Sequence, residues 1–168
     1  MLTIEVLDHR DAEVAGRIRD LQRASYAVEA RLIGFDQMPP MVETPSDIAE
    51  LDLIVLGAVE RETLSGLLGY RRIRDLVDID RLAVDPTRFR SGIGRALLEV
   101  LHRREGDADR FEVSTGAANK PAIALYRTVG YQSKRQAISR GVRLVHLARG
   151  GRPWQHSPTY RTVSRSRW

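Results

Sequence analysis

The stretch Leu82-Ala83-Val84-Asp85-Pro86, continuing after Thr87 and Arg88 with Phe89-Arg90-Ser91-Gly92-Ile93-Gly94-Arg95-Ala96-Leu97-Leu98, carries most of the information in this chain. An apolar strand runs to Val84 and stops at Asp85-Pro86, because proline cannot continue the ladder. Gly92 and Gly94 then open a helix whose apolar stripe is Ile93, Ala96, Leu97, Val100 and Leu101. Glycines at a helix start let a ligand approach the backbone, and the unpaired N–H groups there, with the helix dipole, favour an anion. Arg88, Arg90 and Arg95 add positive charge around the same turn. The segment therefore suits a phosphate cradle, or it simply makes a tight strand-to-helix turn. A P-loop is excluded, because Gly-Lys-Ser/Thr is missing. A dinucleotide fingerprint fails as well: Leu97 stands where its third glycine belongs.

On either side, the periodicity predicts further elements. Met1 to Leu7 alternates as a strand, and Asp11 opens a helix carrying Val14, Ile18, Leu21 and Tyr26, with Gly34 as its stop. Met38-Pro39-Pro40-Met41 is expected to be extended or turned, since each proline disfavours helix at the residue before it. Thr44-Pro45-Ser46-Asp47 caps a short helix over Ser46 to Leu51. Strands are expected at Leu53–Glu60, Leu67–Arg74 and Val77–Val84, the first two joined by a turn over Arg61 to Gly66. After the helix Gly92–Arg104 come a strand at Phe111–Thr115, a helix at Asn119–Val129 with Pro121 in its first turn, and strands at Tyr131–Ile138 and Val142–Ala148. Such an order suits a mixed sheet with helices on both faces.

At 168 residues, 42% hydrophobic and 29% charged, the chain fits one globular domain. No apolar run is long enough for a membrane span and the N-terminus lacks a signal-peptide pattern, so a cytoplasmic location is expected. Cysteine is absent, which removes disulfides, thiolate metal sites and a cysteine nucleophile. Histidines 9, 102, 146 and 156 show no metal-ligand spacing, and no metal is expected. Of the net charge of +5, four units come from Arg152, Arg161, Arg165 and Arg167 in the acid-free segment 150–168. That segment is expected to be a solvated or disordered tail beside a domain over 1–149, and nucleic acid is an unfavoured partner.

The quoted stretch resembles the coenzyme A-binding motif of the GNAT N-acetyltransferases, and Asn119-Lys120-Pro121-Ala122-Ile123-Ala124-Leu125-Tyr126 with Gly130-Tyr131 resembles that family's following motif. The resemblance covers about Met1 to Arg149. It implies an α/β (α+β) chain of GNAT type: a central mixed, mostly antiparallel twisted sheet of about seven strands flanked by about four helices. It also implies transfer of an acetyl group from acetyl-coenzyme A to a primary amine of a small molecule or peptide, by direct attack in a ternary complex. The alternative is a non-catalytic module that senses acyl-coenzyme A. A homodimer is one open arrangement.

By the same resemblance, the backbone of Leu82, Ala83 and Val84 meets the pantetheine arm, and the loop Phe89, Arg90, Ser91, Gly92, Ile93, Gly94 and Arg95 holds the pyrophosphate. Phe89 departs from the family's Gln/Arg at that position, which shifts the expected binding toward backbone N–H groups. Asn119 contacts pantetheine, caps its helix, or does both. Tyr126 matches the acid that protonates the departing thiolate, since a tyrosine hydroxyl stays protonated at neutral pH and can donate. For the base, Asp80 near the centre of the fourth strand and Glu29 on the first helix are the candidates, with Asp78 on the same strand face as Asp80. The region Tyr26 to Glu43, with Phe35, Met38 and Met41, is expected to form much of the acceptor pocket, and Glu29 and Glu43 to attract its cation.

Overall fold

The computed structural model describes residues 1–150; the tail expectation, apart from Gly150, concerns residues outside them. Seven strands, β1 (Thr3–Val6), β2 (Ile54–Glu60), β3 (Thr63–Ile73), β4 (Leu76–Val84), β5 (Arg110–Gly116), β6 (Gln132–Ser139) and β7 (Val142–Gly150), form one sheet in the order β1-β2-β3-β4-β5-β7-β6. Five α-helices accompany them: α1 (Ala12–Ile33), α2 (Pro39–Val42), α3 (Pro45–Ala49), α4 (Ile93–Arg104) and α5 (Lys120–Thr128). All strand pairs are antiparallel except β4 with β5.

Local chemistry accounts for the element ends. Asp11 accepts from the N–H groups of Glu13 and Val14 at 2.9 and 3.1 Å, and α1 runs unbroken to its cap at Gly34. Thr44 and Asp47 form a reciprocal capping box at α3. Two expectations are corrected. Met38 is extended, as a residue before proline should be, but Pro39 and Pro40 form the first turn of α2, where missing N–H groups cost nothing. The turn over Arg61 to Gly66 shrinks to Arg61 and Glu62, both with positive φ, and β3 begins at Thr63. Ser65 is instead the extra residue of a bulge, since Ala58 pairs with Gly66 and Val59 with Leu64.

A core lies on each face. α4 and α5 cover Leu68, Tyr70, Val77, Ile79, Val113, Val145 and Leu147 with Leu97, Leu98, Leu101, Ile123 and Tyr126. α1 to α3 cover Val55, Leu67 and Ala83 with Ile18, Leu21, Met38 and Ile48. A second bulge decides which β4 residues face which core. Gly69 pairs with Arg81 and Tyr70 with Ile79, so Asp80 is an extra residue. Val77 and Ile79 face α4 and α5, and beyond the bulge Leu82 and Val84 take over that face while Arg81 and Ala83 turn toward α1.

Arg81 is thereby buried (3% exposed) under α1. Its guanidinium binds both carboxylate oxygens of Glu43 at 2.6 and 3.1 Å, Gln22 Oε1 at 2.9 Å and Asp80 Oδ2 at 2.7 Å. The network ties β4 to α1 and to the α2–α3 junction. Removing one member of a buried ion cluster leaves the others uncompensated, at a cost of about 3–5 kcal/mol. Arg81→Met is expected to destabilise by that amount in urea unfolding. Glu43→Gln added to it should restore part of the loss, whereas additive losses would show that the two residues do not act as a pair.

Candidate active site

β4 and β5 are paired only over Leu76–Ile79 and Arg110–Val113. Beyond Ile79 and Val113 both strands continue, to Val84 and Gly116, without pairing with one another. Arg81, Leu82, Ala83 and Val84 remain paired to β3. The sheet therefore parts at the Asp80 bulge into a cleft with one strand edge on each side.

The helix start lies at the open end of this cleft. Asp85 caps a 3-10 turn over Pro86–Arg88, its carboxylate accepting from the Thr87 N–H at 2.8 Å. Arg90 takes φ 63 and Gly92 φ 85, and no atom lies within 4 Å of a Cβ built on Gly92. The first N–H bonded into α4 is that of Ala96, to Gly92 O at 2.9 Å, which leaves the preceding amides of Gly92, Ile93, Gly94 and Arg95 at the helix start. The two glycines do different work. Gly92 supplies the left-handed turn, whereas a Cβ on Gly94 would stand 2.9 Å from Leu125 Cδ2, so Gly94 lets α5 pack against α4. Among the side chains, Ile93 is buried in the core and Phe89 is 45% exposed. Ser91 Oγ donates to Arg88 O at 2.5 Å. Arg88 is paired with Glu60 at 2.8 Å and Arg95 with Glu99 at 2.8 Å, while Arg90 has no ion pair among the described residues.

The cleft's inner wall is built by α1 and α5. Asn119 does two things at once: Oδ1 accepts from the Ala122 N–H at 3.3 Å to cap α5, and Nδ2 donates to Thr115 Oγ1 at 3.5 Å. Thr115 in turn donates to Glu29 Oε1 at 3.5 Å, so Glu29 reaches from α1 to the β5 side of the cleft. Burial holds the Glu29 carboxyl above its ordinary range, against the lowering effect of hydrogen bonds from Asn119 and Thr115. Tyr126 is buried (4% exposed) on α5, edge-on to Tyr131 with ring centroids 5.4 Å apart. Its pKa is raised by burial and by the charges of Tyr26, Tyr131 and Glu29. The β4 edge is partly occupied by α1: the Val84 N–H donates to Ser25 Oγ at 3.2 Å, and the Tyr26 hydroxyl is close to the backbone of Leu82.

Of the residues singled out in the sequence, Leu82, Ala83, Val84, Glu29, Asn119 and Tyr126 meet along the cleft, with the amides up to Arg95 at its open end. Asp80 lies at the bulge, ion-paired with Arg81 at 2.7 Å and Arg71 at 3.5 Å. Asp78 shares that side, 3.7 Å from Arg71. The acceptor-pocket expectation is corrected in two respects: Met38 is core, and Glu43 is committed to Arg81. Sequence reasoning missed Glu112, Ser114 and His146, which share the sheet face beside the cleft: Ser114 Oγ lies 3.1 Å from His146 Nδ1, and Glu112 Oε2 lies 3.5 Å from His146 Nε2. The period-two spacing of Glu112 and Ser114 was visible, but the β5–β7 register that adds His146 was not.

The comparisons with known proteins bear on the family and the fold. The model of the acetyltransferase (GNAT) family matches residues 17–131, and the chain belongs to that family. It is 37% identical over 129 residues to the UPF0157 protein YqkA of Bacillus subtilis (strain 168), covering 77% of this chain but 38% of that protein. It is 33% identical over 118 residues to the N-alpha-acetyltransferase RimI of Mycobacterium tuberculosis (strain ATCC 25618 / H37Rv), covering 67% of this chain and 73% of that protein. Its fold superposes on the ribosomal-protein-S18-alanine N-acetyltransferase of Escherichia coli with a TM-score of 0.71 at 18% identity, over 94% of this chain and 99% of that one. The PaiA N-acetyltransferase of Thermoplasma acidophilum, in complex with coenzyme A, gives 0.74 at 16% identity, over 89% and 99%.

The Glu29 environment sets a stability test. Its folded pKa is raised, so the folded state binds more protons than the unfolded one, and stability falls as pH rises through the ordinary carboxylate value of 4.5 and on through the folded one. Glu29→Gln removes that cost. The variant is expected to melt higher than the parent at pH 7 to 8, with the difference shrinking to nothing by about pH 4. A gain that does not depend on pH would contradict the assigned cause.

Proposed function

We propose that the chain transfers an acetyl group from acetyl-coenzyme A to a primary amine of a small molecule or peptide, by direct attack within a ternary complex. The observation that carries this reading is the β4–β5 cleft, with unpaired helix-start amides at its open end and Tyr126 on its inner wall. An extended pantetheine arm fits a strand edge: its amides pair with the backbone of Leu82 and Val84 once Ser25 and Tyr26 turn away. Its pyrophosphate takes the amides of Gly92 to Arg95, and Arg90 is the arginine left to meet it. A protein sharing this fold has been solved in complex with coenzyme A, which supports coenzyme A as the ligand. The likeness to an N-alpha-acetyltransferase supports a peptide N-terminus as one acceptor class.

The chemistry follows from the wall. As the amine attacks the thioester carbonyl, negative charge gathers on sulfur, and Tyr126 donates its proton there. Burial keeps the tyrosine protonated until that moment, because it disfavours the phenolate. Asn119 holds the β5 side through its link to Thr115, and Asp80 with Glu29 adds the negative potential that draws a cationic acceptor inward.

Free coenzyme A release is the measurement, with an alanine-leading hexapeptide, a polyamine and an aminoglycoside as acceptors. One class should give release, and Tyr126→Phe should lower that turnover at least tenfold while leaving acetyl-coenzyme A affinity within twofold. Tight acetyl-coenzyme A binding without release for any amine would favour a sensor.

A further inference from the structure

Three side chains on the sheet face opposite α4 and α5 form a connected chain outside the cleft wall. Val113, Val145 and Leu147 point into the α4–α5 core, so Glu112, Ser114 and His146, at alternate positions, point to the other face. Ser114 stands directly across from His146 in the β5–β7 ladder, and Glu112 across from Asp78 in the β4–β5 ladder. Ser114 is the first β5 residue past the last pair with β4, and it is exposed where the two strands begin to part. Ser114 Oγ is hydrogen-bonded to His146 Nδ1 at 3.1 Å, His146 Nε2 lies within ion-pair distance of Glu112 Oε2 at 3.5 Å, and Glu112 Oε1 is ion-paired with Arg110 at 2.7 Å.

We infer that His146 is the proton acceptor for the attacking amine, reached through the Ser114 hydroxyl and oriented by Glu112; this rests on the transfer reading above. An ionised carboxylate can only accept, so Glu112 selects the tautomer with hydrogen on Nε2 and leaves the Nδ1 lone pair facing Ser114. Glu112 is suited to that role. Burial opposes its ionisation, but its bond to His146 and the charges of His146, Arg110 and Arg135 outweigh this and hold its carboxyl below the ordinary range. The carboxylates nearer the cleft are less available. Asp80 is engaged by two guanidiniums, and Glu29 is buried on hydrogen bonds from Asn119 and Thr115. The Nδ1 atom of His146 lies 3.1 Å from Ser114 Oγ, within reach of a proton handed on by that hydroxyl.

The steps balance. An N–H bond of the acceptor ammonium breaks, Ser114 Oγ takes that proton as it passes its own to His146 Nδ1, and the amine lone pair becomes available. The C–N bond to the thioester carbonyl forms, the C–S bond breaks, and the departing sulfur receives the Tyr126 proton. The new amide nitrogen sheds its extra proton, which restores Tyr126, and His146 releases its own to solvent. Glu112 acts through His146 and is a positioning residue.

The charged groups around His146 are Glu112 and Arg110 on β5, Asp78 on β4 and Arg135, its cross-strand neighbour, on β6. The test is kcat/KM against pH from 5.5 to 9.5, using whichever of the hexapeptide, polyamine or aminoglycoside the parent protein acetylates. His146→Gln should lose at least tenfold at pH 8 and lose the acid limb of the profile, with acetyl-coenzyme A affinity unchanged. Glu112→Gln should keep that limb but move it to lower pH, because the imidazolium loses its anionic neighbour. Ser114→Ala, a small change at an exposed site, should reduce kcat more than it changes KM. An acid limb that persists in His146→Gln overturns the assignment even if activity drops, since only a structural role would then remain. A covalent acetyl group on Ser114, seen by mass spectrometry after rapid quench, also overturns it. Failure of the parent to acetylate any of the three amines overturns the transfer reading itself, and His146 then has no proton to take.

Discussion

The extra residue in β4 at Asp80 is the constraint on which the rest of this molecule depends. A parallel β4–β5 pair would ordinarily run the length of both strands, closing the sheet. Here the pairing stops at Ile79 and Val113, one residue before the bulge and its counterpart on β5. Bulges increase local twist and re-aim side chains, and both consequences are visible. The strands part, and the side chains that follow exchange faces, so that Leu82 and Val84 pack toward α4 and α5 while Arg81 turns under α1.

The buried Arg81 network holds that arrangement. A guanidinium in the interior is costly unless each donor is matched, and Glu43, Asp80 and Gln22 match it from three separate segments. The same contacts seat α1 across the cleft, where Ser25, Tyr26 and Glu29 meet the β4 and β5 edges. Structure and site therefore share one set of interactions. The side chains that lie on the strand edge in this structure are also those that must yield to a ligand pairing there.

Much of the fold was legible because its signals are local. Asp11 and Asn119 mark helix starts by their side-chain chemistry, Gly34 and Gly141 mark ends and turns, and period-two alternation marks most strands. The coenzyme A cradle was legible for the same reason, being a contiguous strand, turn and helix. What escaped depends on partners far apart in the chain. The Asp80 bulge shows in the sequence only as two polar residues in succession, Asp80-Arg81, after the alternation Val77-Asp78-Ile79, and nothing local says that this pair marks an extra residue. Glu43 looked free because its partner Arg81 lies 38 residues away. His146 carried no signal because only the β5–β7 register, across the intervening α5 and β6, sets it beside Ser114.

The central claim is that the edge opened by the bulge, together with the start of α4, is where acetyl-coenzyme A lies. Amide-resolved NMR of the 15N-labelled protein, titrated with acetyl-coenzyme A, addresses it most directly. The account predicts that the amides of Leu82, Val84 and Gly92 to Arg95 shift and exchange more slowly with solvent on binding, while those of β1 and β6 stay unchanged. Saturable binding that leaves Leu82, Val84 and the α4 amides unmoved would contradict it.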